Sequence, residues 1–481
     1  MNLPPIDLLE AERELCARSF SHFIRRAWRH IIPDKYIHGW HVDAMAEHYE
    51  ALASGHLTRL LVNVPPGCMK STLGGIMYPA WLWGPKGQPH HRYIGAAHEQ
   101  GLAVRDARLM RELVRSPWYQ TLWPIALAGD QNEKLYFENE KRGFRQACAV
   151  ASMTGRRGHT IAWDDPLSPE KAHSQLHRET AIRILSETLP TRLNDPQTSA
   201  IVVVMQRLHE RDPSGYILAN DLGYEHLCLP MEFESARKCS TSIGWSDPRT
   251  RDGELLFPER FPAAVVDRDK KAMGSYATAG QLQQRPTPAG GGVFRDEWIK
   301  QWSVLPDFEY RMIYADTAMK TGEENDYSVF QHWGKGKDGK IYLLDMIRGK
   351  WEAPQLLTQA AAFWDKCKAS HSGTLRKMKP EDKASGTGLI QQLKQKGVPV
   401  EGIPRSKDKI TRGYDAAPQV EAGNVFLPPN HELLSDLLNE LSLFPMAAHD
   451  DMVDPLMDAI NDMFLTPPSA AGILLPSRRR R

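Results

Sequence analysis

Lys70 and Ser71 stand where an apolar run gives way to a helix-forming stretch, and together they could bind a nucleoside triphosphate. The run 60–64 predicts a short strand, and the prolines after it predict a loop. At such a turn the loop N–H groups and the helix N-terminus attract phosphate, a lysine neutralises its oxygens, and a serine hydroxyl can ligate Mg²⁺. The residues predicted to contact ATP here, with Ser71 also a metal ligand, are Pro66, Gly67, Cys68, Met69, Lys70, Ser71 and Thr72.

The usual glycine-rich pattern of a phosphate loop is not met, because Val64 and Met69 occupy its two glycine positions. A second signal supports the loop nonetheless: the apolar run 160–163 predicts a strand that ends in Asp164 and Asp165. In ATPases with such loops, the acid at the strand end holds Mg²⁺, and a neighbouring acid can polarise the attacking water. We therefore predict that Asp164 binds the metal ion and that Asp165 is the general base.

Two further polar residues could act on the same triphosphate. Arg156 lies in a glycine-flanked segment, where it could stabilise transition-state charge as an arginine finger or contact DNA phosphate instead. Gln206 follows the apolar run 200–205, which predicts another strand of the same sheet, so its amide could sense the γ-phosphate. Both residues are therefore candidates for the nucleotide site.

Acids at three places in the second half of the chain could bind divalent cations. Carboxylates that converge on two Mg²⁺ or Mn²⁺ ions, ~4 Å apart, hydrolyse phosphodiester bonds, and such hard cations prefer oxygen ligands. One acid ends the predicted strand 311–315, a second acidic turn lies at 381–382, and a third group opens the final helix, where residues four apart share one face. The predicted metal ligands and catalytic acids are Asp316, Glu381 or its neighbour Asp382, Asp450 or Asp451, and Asp454.

Basic residues flank the acidic turn on both sides in sequence, at 366–383 and at 405–412. The second stretch contains Arg405, Lys407, Lys409 and Arg412, just before a predicted helix. Side chains of this kind neutralise phosphates without reading sequence. We therefore predict that the second stretch contacts DNA, although a charge run can also be a solvated face.

The order of predicted elements indicates two α/β domains. Strands alternate with helices before residue 235, which favours a mainly parallel sheet. After residue 300, three strands come in succession and are followed by alternating helices and strands, which favours a ribonuclease H-like domain. Between them, prolines and glycines predict a linker. The predicted divisions are 1–235 for a P-loop ATPase domain with an N-terminal helical segment, 236–300 for the linker, 301–465 for the nuclease-like domain, and 466–481 for a flexible basic tail.

Composition excludes several classes of protein. With 41% hydrophobic and 25% charged residues among 481, the chain is not disordered, and no apolar run approaches the ~20 residues of a membrane span. The six cysteines contain no CxxC pair, and the start lacks a signal-peptide pattern, so we expect reduced thiols inside a cell. The net charge of +1 gives no overall sign of a nucleic-acid partner.

Taken in order, these motifs resemble the large terminase subunit of tailed bacteriophages, over roughly residues 30 to 465. The loop 64–71 is similar to that family's proline-containing Walker A motif, and 164–166 to its Walker B end. Residues 38–41 resemble the segment that touches adenine, which implies that Trp40 stacks on the base and His41 hydrogen-bonds its edge. Residues 283–294, including a run of three glycines, look like the bridge into the nuclease domain.

The resemblance implies an ATP-driven motor that packages double-stranded DNA into a procapsid and cuts concatemers. It implies ATP with Mg²⁺ and two nuclease metal ions as cofactors. The implied partners are DNA, a small terminase subunit, the portal protein and a ring of copies, a pentamer, although the chain alone could be a monomer; the implied location is the host cytoplasm. Two alternatives stay open: a P-loop helicase or translocase with an inactive nuclease fold, and a non-enzymatic DNA-binding scaffold.

Overall fold

The computed structural model describes residues 7–132, 134–149, 155, 157–286, 293–317, 327–382, 384–445 and 450–465. Three sequence-based predictions fall outside these residues: Arg156, the glycines at 290–292 and the basic tail 466–481. The chain divides into two compact units, Met1–Pro288 and Ala289–Arg481. Across the described residues, no helix combines the length and the apolarity needed to cross a bilayer.

The first unit is built on an eight-stranded sheet. Its strands are β1 (Arg59–Asn63), β2 (Tyr93–Ala97), β3 (Leu127–Asn132), β4 (Tyr136–Asn139), β5 (Phe144–Ala149), β6 (Thr160–Asp164), β7 (Ala200–Met205) and β8 (Glu225–Cys228). Their order is β3-β4-β5-β2-β6-β7-β1-β8. All neighbours from β5 to β8 are parallel, and β3, β4 and β5 pair antiparallel. The predicted mainly parallel sheet is therefore confirmed, with an antiparallel edge added.

Helices cover both faces of this sheet, because alternate strand residues face opposite cores. Val202 and Val204 lie in one core, and Ile201 and Val203 lie in the other. The α-helices are α1 (Leu8–Arg18), α2 (Phe20–Ala27), α3 (Trp40–Ala53), α4 (Lys70–Thr72), α5 (Tyr78–Trp83), α6 (Gln100–Arg115), α7 (Pro117–Leu122), α8 (Pro169–Ala172), α9 (Gln175–Arg183), α10 (Pro213–Ala219) and α11 (Ala263–Ala277). The 3₁₀ and π segments of this unit are Trp28–His30, Leu73–Met77, Ile184–Thr188, Pro190–Arg192, Ser235–Arg237 and Thr278–Leu282.

The proline-rich stretch after residue 235 is part of the first unit, so the linker predicted for 236–300 does not begin where the sequence suggested. Leu256 and Phe257 are fully buried in the same core as the sheet. Buried Arg249 pairs with Asp247 at 2.7 Å and donates to the backbone oxygen of Pro230 at 2.9 Å. The prolines break regular secondary structure, but the apolar side chains between them still pack against the core.

The second unit contains a six-stranded sheet. Its strands are β9 (Lys300–Gln301), β10 (Phe308–Asp316), β11 (Ser328–Gly336), β12 (Ile341–Gly349), β13 (Thr374–Pro380) and β14 (Val425–Leu427). The order is β13-β10-β11-β12-β14-β9, in which β10, β11 and β12 are antiparallel and the remaining neighbours are parallel. The three successive strands predicted from the sequence are therefore confirmed.

Helices cover both faces of the second sheet as well. They are α12 (Ala353–Ala369), α13 (Ala384–Gln395), α14 (Lys409–Glu421), α15 (Leu434–Leu443) and α16 (Val453–Ile460), with a 3₁₀ turn at Asp296–Trp298 and a π turn at Asn461–Leu465. Met312 and Tyr314 face the core that includes α16, and Ile313 and Ala315 face the core that includes α12. Successive side chains of β10 therefore face opposite sides of the sheet up to the end of the strand.

Strand β13 forms although its sequence is basic and ends in proline. It lies at the edge of the sheet, where a proline without an N–H is tolerated. Met378 is fully buried. Its basic neighbours are paired: Lys377 with Glu401 at 2.6 Å, Lys379 with Asp462 at 2.8 Å, and Arg376 over the ring of Tyr310.

Candidate active sites

The phosphate loop of the first unit adopts its turn with only one glycine. Gly67 has φ 77° and Met69 has φ 65°, so both lie in the left-handed region. Helix α4 then begins at Lys70. Met69 thus adopts the conformation for which the usual pattern supplies glycine, at a cost of about 1–2 kcal/mol. The sequence departs from the pattern, but the backbone still turns into a helix at Lys70.

Strand order brings the acids of β6 close to this loop. Strand β7 lies between β1, which leads into the loop, and β6, which ends at Asp164. Nζ of Lys70 lies 3.3 Å from Oδ1 of Asp165, and the Ser71 hydroxyl donates to the Asp164 carboxylate. Burial, and then the neighbouring Asp165, raise the pKa of Asp164 to about 7. Oδ1 of Asp164 is buried without a hydrogen-bond partner among the described residues, and an Mg²⁺ ion beside Ser71 would satisfy it.

The backbone holds Asp165 in place on both sides. Its N–H donates to the oxygen of Val204 at 2.8 Å, and its carbonyl oxygen is 2.8 Å from Nδ1 of His98. Asp165 has φ 41°, a left-handed conformation that is uncommon outside glycine. The carboxylate is therefore presented toward Lys70 by a strained, anchored turn.

Gln206 lies where the sequence predicted, at the end of β7 between the loop strand and the acid strand. Its side chain is buried, and its Oε1 has no hydrogen-bond partner within the part of the chain that the structure describes. The adjacent Arg207 has a structural role instead, since its guanidinium pairs with Asp212 at 3.0 Å. An unsatisfied amide at this edge of the sheet fits a ligand contact.

The segment predicted to touch adenine begins α3. Trp40 is half-buried and stacks on Trp245 with ring centroids 6.3 Å apart. His41 is fully buried, and neither of its ring nitrogens finds a hydrogen-bond partner in the described residues. Burial lowers the pKa of His41 to about 4. Its ring lies 4.6 Å from that of Phe257.

Phe257 and Phe261 connect this segment to the phosphate loop, and sequence reasoning missed both. Their ring centroids are 6.3 Å apart. The ring of Phe261 lies against Gly67, where a Cβ atom would come within 2.8 Å of it. The only signal in the sequence was a pair of aromatic residues four apart, and it lies within the proline-rich stretch that the sequence predicted to be a linker.

The second unit gathers carboxylates from three elements around one arginine. Asp316 ends β10, Glu381 follows β13, and these strands are parallel neighbours. Asp454 and Asp458 lie one turn apart on α16. The guanidinium of Arg405 contacts all four carboxylates, which we call the carboxylate cluster. Its distances are 3.4 Å to Asp316, 2.9 Å to Glu381, 3.8 Å to Asp454 and 2.8 Å to Asp458.

Two more bases and one more acid border the carboxylate cluster. Nζ of Lys409 lies 2.6 Å from carboxylate oxygens of both Asp450 and Asp454. Arg412 pairs with Asp454 and, at 3.0 Å, with Asp458. Burial, opposed by Arg405, raises the pKa of Asp316 to about 7. The donor set consists of carboxylate oxygens from several elements, which fits Mg²⁺ or Mn²⁺.

Two of the predicted acids point elsewhere. Asp382 is exposed, whereas Glu381 is buried against Arg405. Asp451 is buried on the other side of the turn, where Oδ2 accepts from the N–H of Tyr327 at 3.3 Å and lies 3.7 Å from Arg348. Between each pair of alternatives, the geometry therefore places Glu381 within the carboxylate cluster and Asp450 beside it.

Asp458 is the acid that sequence reasoning missed. The signal was present as a spacing of four that continues from Asp450 through Asp454 to Asp458. Asp454 and Asp458 share one face of α16, and Asp450 lies in the turn before that helix. The predicted DNA-contact stretch also needs correction. Arg405 and Arg412 are buried among carboxylates, and Lys407 pairs with Asp415 at 3.0 Å. Neighbouring acids therefore neutralise these positive charges, which are not available to DNA phosphates.

A cysteine-containing group also forms in the first unit, although the sequence shows no metal-binding spacing. Ligand atoms of Glu12, Cys16 and His22 all lie within 4.8 Å of one another. Glu12 is already paired with Arg26 at 2.5 Å. All six cysteines are free thiols.

These two units define a class of protein in which a P-loop-type parallel sheet and a ribonuclease H-like sheet are parts of one chain. Comparison with known families agrees: residues 313–463 match the terminase RNaseH-like domain. The resemblance to large terminases is therefore confirmed.

Solved structures of large terminases are similar to this chain. The large terminase of a thermophilic bacteriophage, in its second crystal form, has the same fold: it is 11% identical with a TM-score of 0.51, over 86% of this chain and 97% of that one. The large terminase of bacteriophage HK97 is also 11% identical, over 92% and 99% of the two chains, with a TM-score of 0.39. The magnesium-bound nuclease of the phage G20c large terminase is 18% identical over 36% and 98%, with a TM-score of 0.27. No curated protein matches the sequence.

Proposed function

We propose that this chain is the large subunit of a viral DNA-packaging terminase, which uses ATP hydrolysis to move double-stranded DNA into a procapsid and cuts that DNA. The observation that carries the proposal is the presence of two complete constellations in one chain. Lys70, Ser71, Asp164 and Asp165 meet in the first unit. The carboxylate cluster lies in the terminase RNaseH-like domain.

In the first unit, the loop N–H groups and Lys70 would hold the β- and γ-phosphates, and Ser71 and Asp164 would hold Mg²⁺. Asp165 is already 3.3 Å from Lys70 and would orient and deprotonate the attacking water. Gln206 lies at the same sheet edge, where its amide NH₂ would donate to the γ-phosphate and its unsatisfied Oε1 would accept from a bound water. His41, Phe257 and Phe261 form a wall from the adenine segment to the loop.

In the second unit, Asp316, Glu381, Asp450 and Asp454 would hold two divalent cations. The cations, when bound, supply an activated water and stabilise the leaving 3′ oxygen of the phosphodiester. The protein contributes a rigid frame, because Asp316 and Glu381 end adjacent strands and the other two acids belong to α16 and the turn before it. Lys409 orients Asp450 and Asp454 through its 2.6 Å contacts.

The proposed partners follow from a packaging motor. They are double-stranded DNA, a small terminase subunit, the portal of a procapsid, and further copies of this chain in a ring, a pentamer, within the host cytoplasm. Arg156 is proposed as the arginine finger of that ring, in cis or for a neighbouring copy.

A plasmid assay tests the proposal. The full chain should hydrolyse ATP and linearise supercoiled plasmid in the presence of Mg²⁺ or Mn²⁺, and a chelator should stop the cutting. Asp382→Asn is the matched control for Glu381→Gln, since the two acids are adjacent but Glu381 contacts Arg405 and Asp382 is exposed. Cutting that survives Glu381→Gln and fails in Asp382→Asn would reverse the assignment, and ATP hydrolysis without any cutting would favour the translocase alternative.

A further inference from the structure

The guanidinium of Arg405 divides its contacts between two groups of carboxylates. Nη1 is the nitrogen that lies near Asp316, Glu381 and Asp454, at 3.4, 2.9 and 3.8 Å. Nε and Nη2 instead hold a single oxygen of Asp458, at 3.1 and 2.8 Å. One edge of the side chain is therefore anchored on Asp458, while the other is inserted among the acids proposed to bind metal.

The backbone before and after Arg405 is fixed. The N–H of Ile403 donates to the oxygen of Pro380 at 2.9 Å, and the N–H of Asp382 donates to the oxygen of Ile403 at 2.9 Å. Four residues after Arg405, α14 begins at Lys409, capped by the Asp408 side chain. Arg405 thus enters the carboxylate cluster from a loop that is tied to the end of β13.

A guanidinium and a divalent cation cannot share these oxygens in the same place. A metal ion must approach each carboxylate oxygen to about 2.0–2.6 Å, and Nη1 carries positive charge within 4 Å of three of them. In a partly buried site, like charges at such a separation repel each other more strongly than they do in water. Entry of the metal therefore requires Nη1 to leave.

We propose that Arg405 is a built-in counter-ion that occupies a metal position between Asp316, Glu381 and Asp454, and that divalent cations bind by displacing its Nη1 while Asp458 retains its other edge. Arg405 is then the residue that sets metal affinity, and Asp458 is its anchor rather than a metal ligand. The inference rests on the proposed nuclease function and goes further, because it names the competitor that the metal ion has to displace.

This arrangement weakens metal binding, because the cation must displace Arg405. It also keeps the site intact when the metal concentration is low. Without a cation among them, four carboxylates so close together would repel one another. Arg405 offsets that repulsion, so the frame that must receive the metal keeps its shape.

The test is Mn²⁺ binding to the full chain by calorimetry, with plasmid cutting measured in parallel. Arg405→Gln should bind Mn²⁺ at least about tenfold more tightly than the wild type, a change of ~1.4 kcal/mol. Its metal-free melting temperature should fall and be restored by Mn²⁺. The matched control is Arg412→Gln, which removes the same charge from beside Asp454 and Asp458, the acids with which Arg412 pairs on α16. Its gain in affinity should be clearly smaller.

Equal gains in the two variants would show a general charge effect and overturn the inference, as would an unchanged or weaker Mn²⁺ affinity in folded Arg405→Gln. If Arg405→Gln does not fold, Arg405→Lys replaces it. A single ammonium cannot bridge Asp458 and the other three acids, so an affinity gain of at least about threefold is expected, and wild-type affinity would overturn the inference. If the wild type cuts DNA but the Arg405 variant shows no gain in Mn²⁺ affinity, only this inference is refuted. If no form of the protein binds Mn²⁺ or cuts DNA, the nuclease function is refuted as well.

Discussion

Nζ of Lys70 lies 3.3 Å from Oδ1 of Asp165, an ion pair that joins the phosphate loop to the residue directly after β6, across the intervening strand β7. Lys70 is buried, so this charge would be costly without a partner. The pair gives the lysine two anionic partners to exchange between, Asp165 and a phosphate. It also aims the Asp165 carboxylate at the position where the γ-phosphate would lie.

Asp165→Asn should therefore separate ATP binding from ATP hydrolysis. Turnover should fall by about 10²–10⁴-fold, because the amide cannot accept the proton of the attacking water. Binding of ATP should be unchanged or tighter, since Lys70 loses its competing partner. Phosphate release and binding of a fluorescent ATP analogue measure the two effects, with the exposed Asp221→Asn as control. Loss of binding together with turnover would contradict the assigned role.

Gly67→Ala should weaken ATP binding by about tenfold or more. Gly67 has φ 77°, and an added Cβ would lie 2.8 Å from the Phe261 ring, so alanine meets both strain and a clash. Gly55→Ala is the matched control, because Gly55 has φ 80° but no described atom within 4 Å of the added Cβ. Titration with ATP should show a loss for Gly67→Ala alone; equal losses in both would mean that the contact with Phe261 is unimportant.

Asp450→Asn and Asp451→Asn should differ although the two residues are adjacent. Asp450 contacts Lys409 beside the carboxylate cluster, so its variant should lose most plasmid cutting. Asp451 faces Arg348 and the N–H of Tyr327, so its variant should still cut but lose about 1–3 kcal/mol of stability from the broken network. Cutting and melting temperature, measured on the same preparations, check this, and a cutting defect confined to Asp451→Asn would reverse the assignment.

Acidification should destabilise both units through buried histidines. Burial, and then Arg311, lower the pKa of His332 to about 3, and burial, and then His38, lower that of His41 to about 4. Each ring takes up its proton on unfolding, so the stability is complete above pH 6.5 and falls as the pH drops toward the folded values, by about 1.4 kcal/mol per pH unit for each group.

Melting temperatures between pH 7 and 5 test this, with His332→Gln expected to flatten the decline of the second unit's transition. The exposed His56→Gln should leave the decline unchanged. A melting profile that is flat over this range in the wild type would mean that the buried rings do not stay neutral in the folded chain.

The sequence predicted those elements that are marked by a pattern of neighbouring residues, such as an apolar run followed by an acid. The run at 200–205 matches β7 residue for residue, and the acid predicted to end the strand at 160–163 is the last residue of β6. Apolar periodicity and the position of acids after strands are enough for such predictions. They also placed Asp316 at the end of a predicted strand, which is β10.

What the sequence did not reveal depends on long-range packing. Phe261 reaches Gly67 across nearly two hundred residues of chain, roughly the length of a domain. The sequence predicted Arg405 and Arg412 to be part of an exposed basic stretch. Their neighbours in sequence do not indicate that both side chains are buried against acids of α16. The strand β13 was hidden because its basic side chains are paired only in three dimensions.

The central claim is that one chain contains two independent active sites, and a double dissociation tests it most directly. ATP hydrolysis and metal-dependent plasmid cutting should be measured for the wild type, Lys70→Ala and Asp316→Ala, with the exposed Lys171→Ala as control. Lys70→Ala should abolish hydrolysis and leave metal-dependent cutting, whereas Asp316→Ala should abolish cutting and leave hydrolysis. Cutting at the wild-type rate by Asp316→Ala, or hydrolysis at the wild-type rate by Lys70→Ala, would contradict the account.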